Sequence, residues 1–177
     1  MKETLDGDHG ILFHRHETKI PGERNDITGR EYTGEVNKSF RPGTFLREVE
    51  SDMRRRYQDD SRKLSTHLRS RLVQFWFGAD RAIHYEVWIH ERMAQMELGL
   101  HFESRASRNR VLYRRFDGEL LSIQAALGDS IWLEEWERGW ARIYETQPLW
   151  PLDSVRVITT VDRLAEMIAT FQPILDT

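Results

Sequence analysis

Three histidines and four glutamates alternate with apolar residues in the stretch HYEVWIHERMAQMELGLHFES, which runs from His84 to Ser104. Imidazole nitrogens and carboxylate oxygens together can hold a divalent metal ion, and a histidine beside a glutamate can act as an acid–base pair. A solvated sheet face also collects such residues, because one side of an antiparallel sheet often faces water. The stretch therefore indicates either a metal or acid–base site, or the polar face of an ordinary hairpin.

The alternation in this stretch predicts a β-hairpin. Apolar residues recur at every second position in two runs of opposite parity, which is typical of paired strands with one buried face. We expect Tyr85 to lie opposite Phe102, which leaves Arg92 to Gln95 as a four-residue loop. The apolar set predicted to be buried is Tyr85, Val87, Ile89, Met96, Leu98, Leu100 and Phe102.

The other face of this hairpin carries the candidate metal ligands. In the expected register Glu86 faces His101 and His90 faces Glu97, at the separation of ~4.5–5.5 Å between Cβ atoms that directly paired residues have. The ligand set predicted for a divalent metal ion is His84, Glu86, His90, Glu97 and His101. Trp88 has the same parity, so we expect an exposed aromatic docking surface there unless a third strand or the N-terminal arm covers it.

A second candidate site is a stripe of arginines upstream. A helical pattern begins at Thr44, a candidate N-cap, and continues to Phe75, with Asp59–Ser61 as an interruption and Gly78 as the end. If the helix is continuous through Asp59–Ser61, five arginines fall within about 100° of one another. They are Arg47, Arg54, Arg55, Arg62 and Arg69. A one-sided stripe can follow a phosphate backbone, and the alternative is a solvated helix face.

The remaining pattern predicts the elements that hold these residues. Residues 105–127 read as a helix that ends at Gly128, and a final helix starts at Asp153 or Thr160 and reaches Phe171. Residues 133–144 fit a strand or a helix, and the glycine and aromatics there favour a strand. The resulting order α–β–β–α–β–α indicates an α+β fold, with a small antiparallel sheet packed against helices. We divide the chain into an irregular arm, 1–43, and a single domain, 44–177.

Composition limits the function classes. The chain has no cysteine, which excludes thiol nucleophiles and disulfide frameworks, and its 26 basic and 29 acidic residues leave a net charge of −3. Binding of nucleic acid would therefore need a local patch. No apolar run approaches a signal peptide or a membrane span, so we expect a cytoplasmic protein without membrane contact. The common catalytic motifs are missing, which favours a protein that is not an enzyme.

The segments HYEVWIHER, MELGLHFES and AALGDSIWLEEWERGW, within residues 80–177, resemble a family of uncharacterised bacterial domains. In that family a hairpin, a helix, a tryptophan-bearing strand and a final helix follow one another. Related domains sometimes occur beside nuclease-like modules in restriction and defence proteins. The resemblance implies a nucleic-acid context and no catalytic residues.

Three hypotheses follow for the function. The leading one is a non-catalytic binding module in a nucleic-acid-linked complex of the defence or restriction type, acting with a protein partner. The first alternative is a metal-dependent enzyme that uses the His/Glu face of the hairpin, with a divalent ion as the only cofactor considered. The second is a homo-oligomeric structural protein whose interface is rich in tryptophan.

Overall fold

The computed structural model describes residues 39–177. They form three α-helices and one six-stranded antiparallel sheet, which confirms the predicted α+β class. The helices are α1 Pro42–Arg56, α2 Ala106–Leu127 and α3 Ser154–Leu175. The strands are β1 Leu64–Leu68, β2 Leu72–Phe77, β3 Ile83–His90, β4 Gln95–Phe102, β5 Trp132–Glu135 and β6 Ala141–Pro148. Most of the predicted N-terminal arm, including its candidate strand at 11–14, lies outside the described residues.

The sheet has the order β1-β2-β3-β4-β6-β5. The first four strands form a meander, in which each strand pairs with the next along the chain. After α2 the chain returns as the β5–β6 hairpin, and β6 pairs with β4. Strands β3 and β4, which carry the predicted histidine–glutamate face, therefore occupy the centre of the sheet.

The helices share one hydrophobic core with the apolar face of the sheet. All seven apolar hairpin residues named above are buried, with exposed fractions of 2% or less, so this prediction is confirmed. The apolar stripes of α1 and α3 complete the core, among them Met53 and Phe171. Asp153 begins α3, and its carboxylate accepts a hydrogen bond from the backbone N–H of Arg156 at 2.8 Å. Such a cap satisfies one of the free N–H groups at a helix start.

The helical structure predicted from Thr44 to Phe75, either continuous or interrupted at Asp59–Ser61, is wrong beyond Arg56. Helix α1 starts at Pro42, with Arg41 rather than Thr44 as its N-cap residue, and the chain then turns into the β1–β2 hairpin. Asp60 fixes this turn, because its carboxylate accepts hydrogen bonds from both the backbone N–H and the guanidinium of Arg62. The segment LVQFWF is rich in β-branched and aromatic residues, which pack well on a pleated sheet.

The segment 133–144 contains parts of two strands where one was predicted. Strands β5 and β6 are joined by a tight turn in which Arg138 and Gly139 both have positive φ, 64° and 71°. A glycine tolerates that backbone region without a steric penalty. The described elements therefore follow the order α–β–β–β–β–α–β–β–α. Helix α2 runs without interruption through Asp117 and Gly118 and ends at Gly128, where φ is 101°.

None of the three helices between residues 39 and 177 has a stretch both long and apolar enough to cross a lipid bilayer.

Candidate functional site

The hairpin that carries the candidate site pairs two residues away from the predicted register. His84 lies directly opposite His101, and Glu86 lies opposite Gly99. The connection is Glu91–Ala94, a 3₁₀ turn closed by Ala94 with φ of 50°, instead of the expected loop at 92–95. A shift of two residues keeps every side chain on the same face, because the side-chain period of a strand is two. The predicted division into two faces therefore stands, whereas the predicted contacts across the strands are wrong.

The polar face of the hairpin is covered in part by the turn between β5 and β6. Trp136 from this turn lies against Trp88, with ring centroids 6.1 Å apart, and meets His101 edge-on at 6.3 Å. Trp88 is half-buried rather than the exposed docking residue expected from parity. The covering buries His84, Glu86, Glu97 and His101 to between 1% and 3% exposure.

Beside this cover lies a cleft of about 620 Å³. Its floor is polar, its wall is aromatic and its rim carries two arginines. The floor residues include Gln74, His84, Glu86 and Glu103, the wall consists of Trp88, Trp136 and Trp140, and the rim contains Arg69 and Arg81. A concave site of this size with a few converging polar groups is typical of small-molecule binding.

Hydrogen bonds fix the tautomer of His84 on the floor. Its Nδ1 lies 2.9 Å from the carbonyl oxygen of Arg81, which can only accept, so Nδ1 carries the proton. Its Nε2 accepts a hydrogen bond from the amide nitrogen of Gln74, also at 2.9 Å. The same nitrogen of Gln74 donates to Glu86, and the oxygen of Gln74 accepts from the guanidinium of Arg81. His84 is therefore held in the tautomer whose Nε2 can bind a metal, and in this structure the Nε2 lone pair is occupied by the hydrogen bond from Gln74.

His101 lies behind the floor among carboxylates. Its Nε2 is 3.2 Å from Glu97 and its Nδ1 is 3.9 Å from Glu103. Burial alone would lower the pKa of His101, but the carboxylates of Glu103, Glu97 and Glu86 outweigh this effect and raise the pKa to about 9. The contact with Glu97 is outside hydrogen-bond geometry, so Nε2 lacks a hydrogen-bond partner among residues 39–177. The surroundings of His101 thus favour a positive charge.

Glu86 is an ionised carboxylate at the edge of the cleft. Burial would raise its pKa, but the imidazoles of His84 and His101 and the amide of Gln74 together hold the pKa below its ordinary value. Its Oε2 lies 3.5 Å from Nε2 of His84. Glu86 can therefore accept a proton from a molecule in the cleft.

Glu97 is held away from the cleft by an ion pair. The Nη1 atom of Arg142 donates to both carboxylate oxygens of Glu97, at 2.7 and 2.9 Å. The guanidinium of Arg142 also lies against the rings of Trp136 and Tyr144, 4.7 and 4.2 Å from their centroids. Arg142 thereby links Glu97 on the central sheet to the aromatic cover.

The structure brings together only part of the predicted ligand set. Ligand atoms of His84, His101 and Glu103 all lie within 4.8 Å of one another, close enough for this group to be a candidate metal site. Glu86 borders this group, whereas Glu97 is bound to Arg142 and His90 packs on Trp88 with centroids 4.1 Å apart. Glu103 was not in the predicted set, although its parity already placed it on the polar face.

Sequence reasoning missed several residues of the cleft. Gln74 belongs to a segment that was assigned to a helix, and the two-residue alternation of LVQFWF was the signal that could have placed it on the sheet. Arg81 lies in the β2–β3 connection. Trp136 and Trp140 were assigned to a strand, whereas the turn between β5 and β6 brings them over the floor.

The five arginines of the predicted helical stripe do not share one helix face. Arg47, Arg54 and Arg55 lie on α1, Arg62 lies in the following turn and Arg69 lies between β1 and β2. Three of them contact acidic residues. Arg54 pairs with Glu50 at 3.2 Å, Arg62 pairs with Asp60 at 2.6 Å, and Arg55 pairs with Asp52. The helical geometry that suggested a phosphate-binding stripe is therefore absent, and nucleic-acid binding by these residues stays a prediction.

Comparison of the chain with protein-family models, with curated proteins and with solved structures found no match.

Proposed function

We propose that the cleft is the active site of a metal-dependent enzyme of the hydrolytic type. The observation that carries this proposal is the convergence of His84, His101 and Glu103. His84 and Glu103 line the floor of a cleft of about 620 Å³, and His101 lies behind that floor. We therefore prefer the metal-dependent enzyme, which was the first alternative from the sequence, to the non-catalytic binding module, which was the leading hypothesis.

The ligand chemistry supports a divalent transition metal. Two imidazoles and one carboxylate suit zinc, manganese, iron or nickel, and a set of three protein ligands leaves coordination positions open for water and substrate. His84 already has the outer hydrogen bond that orients a metal-binding histidine, from Nδ1 to the Arg81 carbonyl. Among residues 39–177, Glu86 and Glu103 have histidine but no arginine or lysine within ion-pair distance. Their negative charge is therefore available to a cation.

Glu86 supplies the second part of the chemistry. A metal held by His84, His101 and Glu103 would lower the pKa of bound water, to about 7 in the case of zinc, and would so supply a nucleophile near neutral pH. Glu86 lines the cleft beside the ligand set, with its Oε2 atom 3.5 Å from Nε2 of His84. We infer that Glu86 acts as the general base beside the ligand set.

Calorimetric titration of the metal-free protein with Zn²⁺, Mn²⁺ and Ni²⁺ tests the proposal. We expect one ion per chain for at least one metal, and a loss of affinity of about tenfold or more in Glu103→Gln, which removes a ligand charge with almost no change in shape. Glu119→Gln is the matched control, since Glu119 is exposed on α2. Circular dichroism checks that each variant is folded. Absence of binding in the wild type, or equal affinity in Glu103→Gln and Glu119→Gln, would overturn the proposal.

The other hypotheses from the sequence remain proposals. The resemblance to domains found beside nuclease-like modules supports a nucleic-acid-linked complex. Trp132 and Trp150 are 63% and 52% exposed, which supports a tryptophan-rich interface between copies or with a protein partner. Light scattering at two concentrations tests self-association, and a strict monomer would exclude the homo-oligomer.

A further inference from the structure

We propose that the cleft binds a nucleoside phosphate, with the base against the aromatic wall and the phosphate at Arg69 and Arg81. The inference rests on the proposed function in one respect only, which is that both use the same cleft. It names the class of substrate and does not depend on a metal ion being bound.

The two rim arginines, Arg69 and Arg81, are the first observation that supports phosphate binding. Both side chains are exposed, and among residues 39–177 neither has a carboxylate within ion-pair distance. Arg81 donates a hydrogen bond to the neutral amide oxygen of Gln74, and Arg69 donates one to the ring nitrogen Nε2 of His67. By contrast, Arg142 and Arg163 each hold a buried glutamate. Guanidinium groups that keep their charge uncompensated at a cleft suit a phosphate, which they can contact through two parallel hydrogen bonds.

The aromatic wall of the cleft is the second observation that supports nucleotide binding. Trp88 and Trp136 lie 6.1 Å apart, and Trp136 meets Trp140 edge-on at 6.4 Å, so the three rings form a continuous aromatic surface. Nucleic-acid bases stack on such surfaces with a gain of about 1–3 kcal/mol per base, whatever their sequence. Trp88 also contacts His90 on its own strand, which holds the ring in place along the wall.

The charges of the cleft set the orientation of the ligand. In the metal-free cleft, Glu86 and Glu103 make the floor negative, so a phosphate is repelled from the floor and attracted to the arginine rim. A volume of about 620 Å³ falls inside the range of ~300–1,000 Å³ that is usual for small-ligand sites. A free nucleotide and the end of a single-stranded nucleic acid offer the same chemistry, a base joined to a phosphate.

Quenching of tryptophan fluorescence tests this inference with three probes: adenosine monophosphate, adenosine and inorganic phosphate. The titrations are done with a chelator present, so that failure here and failure of metal binding are separate results. We expect adenosine monophosphate to bind about tenfold or more tightly than either of its parts, because the base and the phosphate each contribute. Equal affinity for adenosine monophosphate and adenosine would overturn the inference.

Charge-removing variants locate the binding site. In Arg69→Gln/Arg81→Gln we expect the affinity for adenosine monophosphate to fall to that for adenosine. The matched control, Arg110→Gln/Arg114→Gln, removes the same charge from the exposed surface of α2 and is expected to leave binding unchanged. Arg69→Gln alone keeps the Arg81–Gln74 hydrogen bond and is expected to lose part of the affinity, so the test stands even where the double variant is unstable. Unchanged affinity in the folded arginine variants would also overturn the inference.

A terminally phosphorylated oligonucleotide distinguishes the two sources of the ligand. Tighter binding of the oligonucleotide than of adenosine monophosphate would identify the end of a nucleic-acid strand as the substrate. Equal or weaker binding would identify a free nucleotide. Either result requires the loss of affinity in Arg69→Gln/Arg81→Gln, and binding that survives this double substitution contradicts the assignment.

Discussion

The imidazole rings of His84 and His101 stack across strands β3 and β4, with centroids 5.6 Å apart and planes 19° from parallel. The pairing of these two strands sets this contact, and their central position in the sheet keeps both rings out of water. His84 is fixed by neutral hydrogen bonds, whereas His101 is surrounded by carboxylates. The two stacked histidines therefore have different surroundings, amide and carbonyl groups for His84 and carboxylates for His101.

The backbone of β6 lies very close to Gly99, which is opposite Glu86 in the sheet. A Cβ atom added there would lie 2.5 Å from the carbonyl oxygen of Ile143, so a side chain must push β4 and β6 apart. We expect Gly99→Ala to lower the free energy of unfolding by about 1–3 kcal/mol. In the control Gly118→Ala nothing lies within 4 Å, and the helix should gain ~0.5–1 kcal/mol. Urea unfolding measures both, and equal stability of the two variants would contradict the close approach.

The buried ion pair between Arg142 and Glu97 should be costly to break from one side. Their side chains are 14% and 4% exposed, so removal of the guanidinium leaves an uncompensated charge away from water. We expect Arg142→Met to lose about 3–5 kcal/mol of stability, and the added substitution Glu97→Gln to recover part of it. Arg108→Met, which breaks an exposed pair with Asp80, should lose no more than ~1 kcal/mol. Thermal unfolding compares the variants, and similar losses at both sites would refute the buried-charge explanation.

The turn after α1 should give a measurable pH dependence. Hydrogen bonds from the Arg62 guanidinium and backbone lower the pKa of Asp60 to about 2, whereas the unfolded value is about 3.9. Ionised Asp60 therefore adds stability above pH ~4, and this contribution is lost as the pH falls toward ~2. We expect Asp60→Asn to lose less than ~1 kcal/mol at neutral pH, since the pair lies near the surface, and to match the wild type at acidic pH.

Urea unfolding at neutral and acidic pH measures this effect. Asp59→Asn is the control. Asp59 is the exposed neighbour of Asp60, so its substitution removes a carboxylate without breaking the turn. A difference between Asp60→Asn and the wild type that stays constant over the whole range would show that the carboxylate charge is not responsible.

Two arginine pairs separate the two hypotheses for nucleic-acid binding. If the stripe predicted from the sequence binds phosphates, Arg54→Gln/Arg62→Gln should weaken salt-sensitive binding of an oligonucleotide. If the cleft binds them, Arg69→Gln/Arg81→Gln should weaken it instead, and so should Arg81→Gln alone, because Arg81 lies outside the stripe. We expect the second result, because Arg54 and Arg62 already pair with acidic residues. Fluorescence anisotropy at two salt concentrations decides between them, and an effect of the first pair alone would favour the stripe.

The parity of the central hairpin could be predicted from the sequence, but its register could not. Alternation assigns each side chain to a face, and it is unchanged when the strands slide by two residues. The register depends on the connection, where Ala94 takes a left-handed conformation that nothing in its residue type signals. For this reason the sequence predicted which residues share the polar face and paired the wrong ones across it.

The helix predicted through Leu64 and Leu68 shows a second limit of prediction from the sequence pattern. A spacing of four residues satisfies both the helical period and the strand period, so both leucines fit either structure. The interactions that decide between them are tertiary, since β1 lies on β2 and the Asp60 turn separates it from α1. Once this segment was assigned to a helix, Gln74 and the rim of the cleft could not be found.

The separation of the two sheet faces has a consequence for how this protein could change over evolutionary time. The helices and the apolar face hold the fold together, while the wall and rim of the cleft are carried by three connections between strands and by side chains of the opposite parity. Replacement of Arg69, Arg81 or Trp140 alters what the cleft can recognise without touching the core. A laboratory library confined to these positions is therefore a practical starting point for new ligand specificities on the same scaffold.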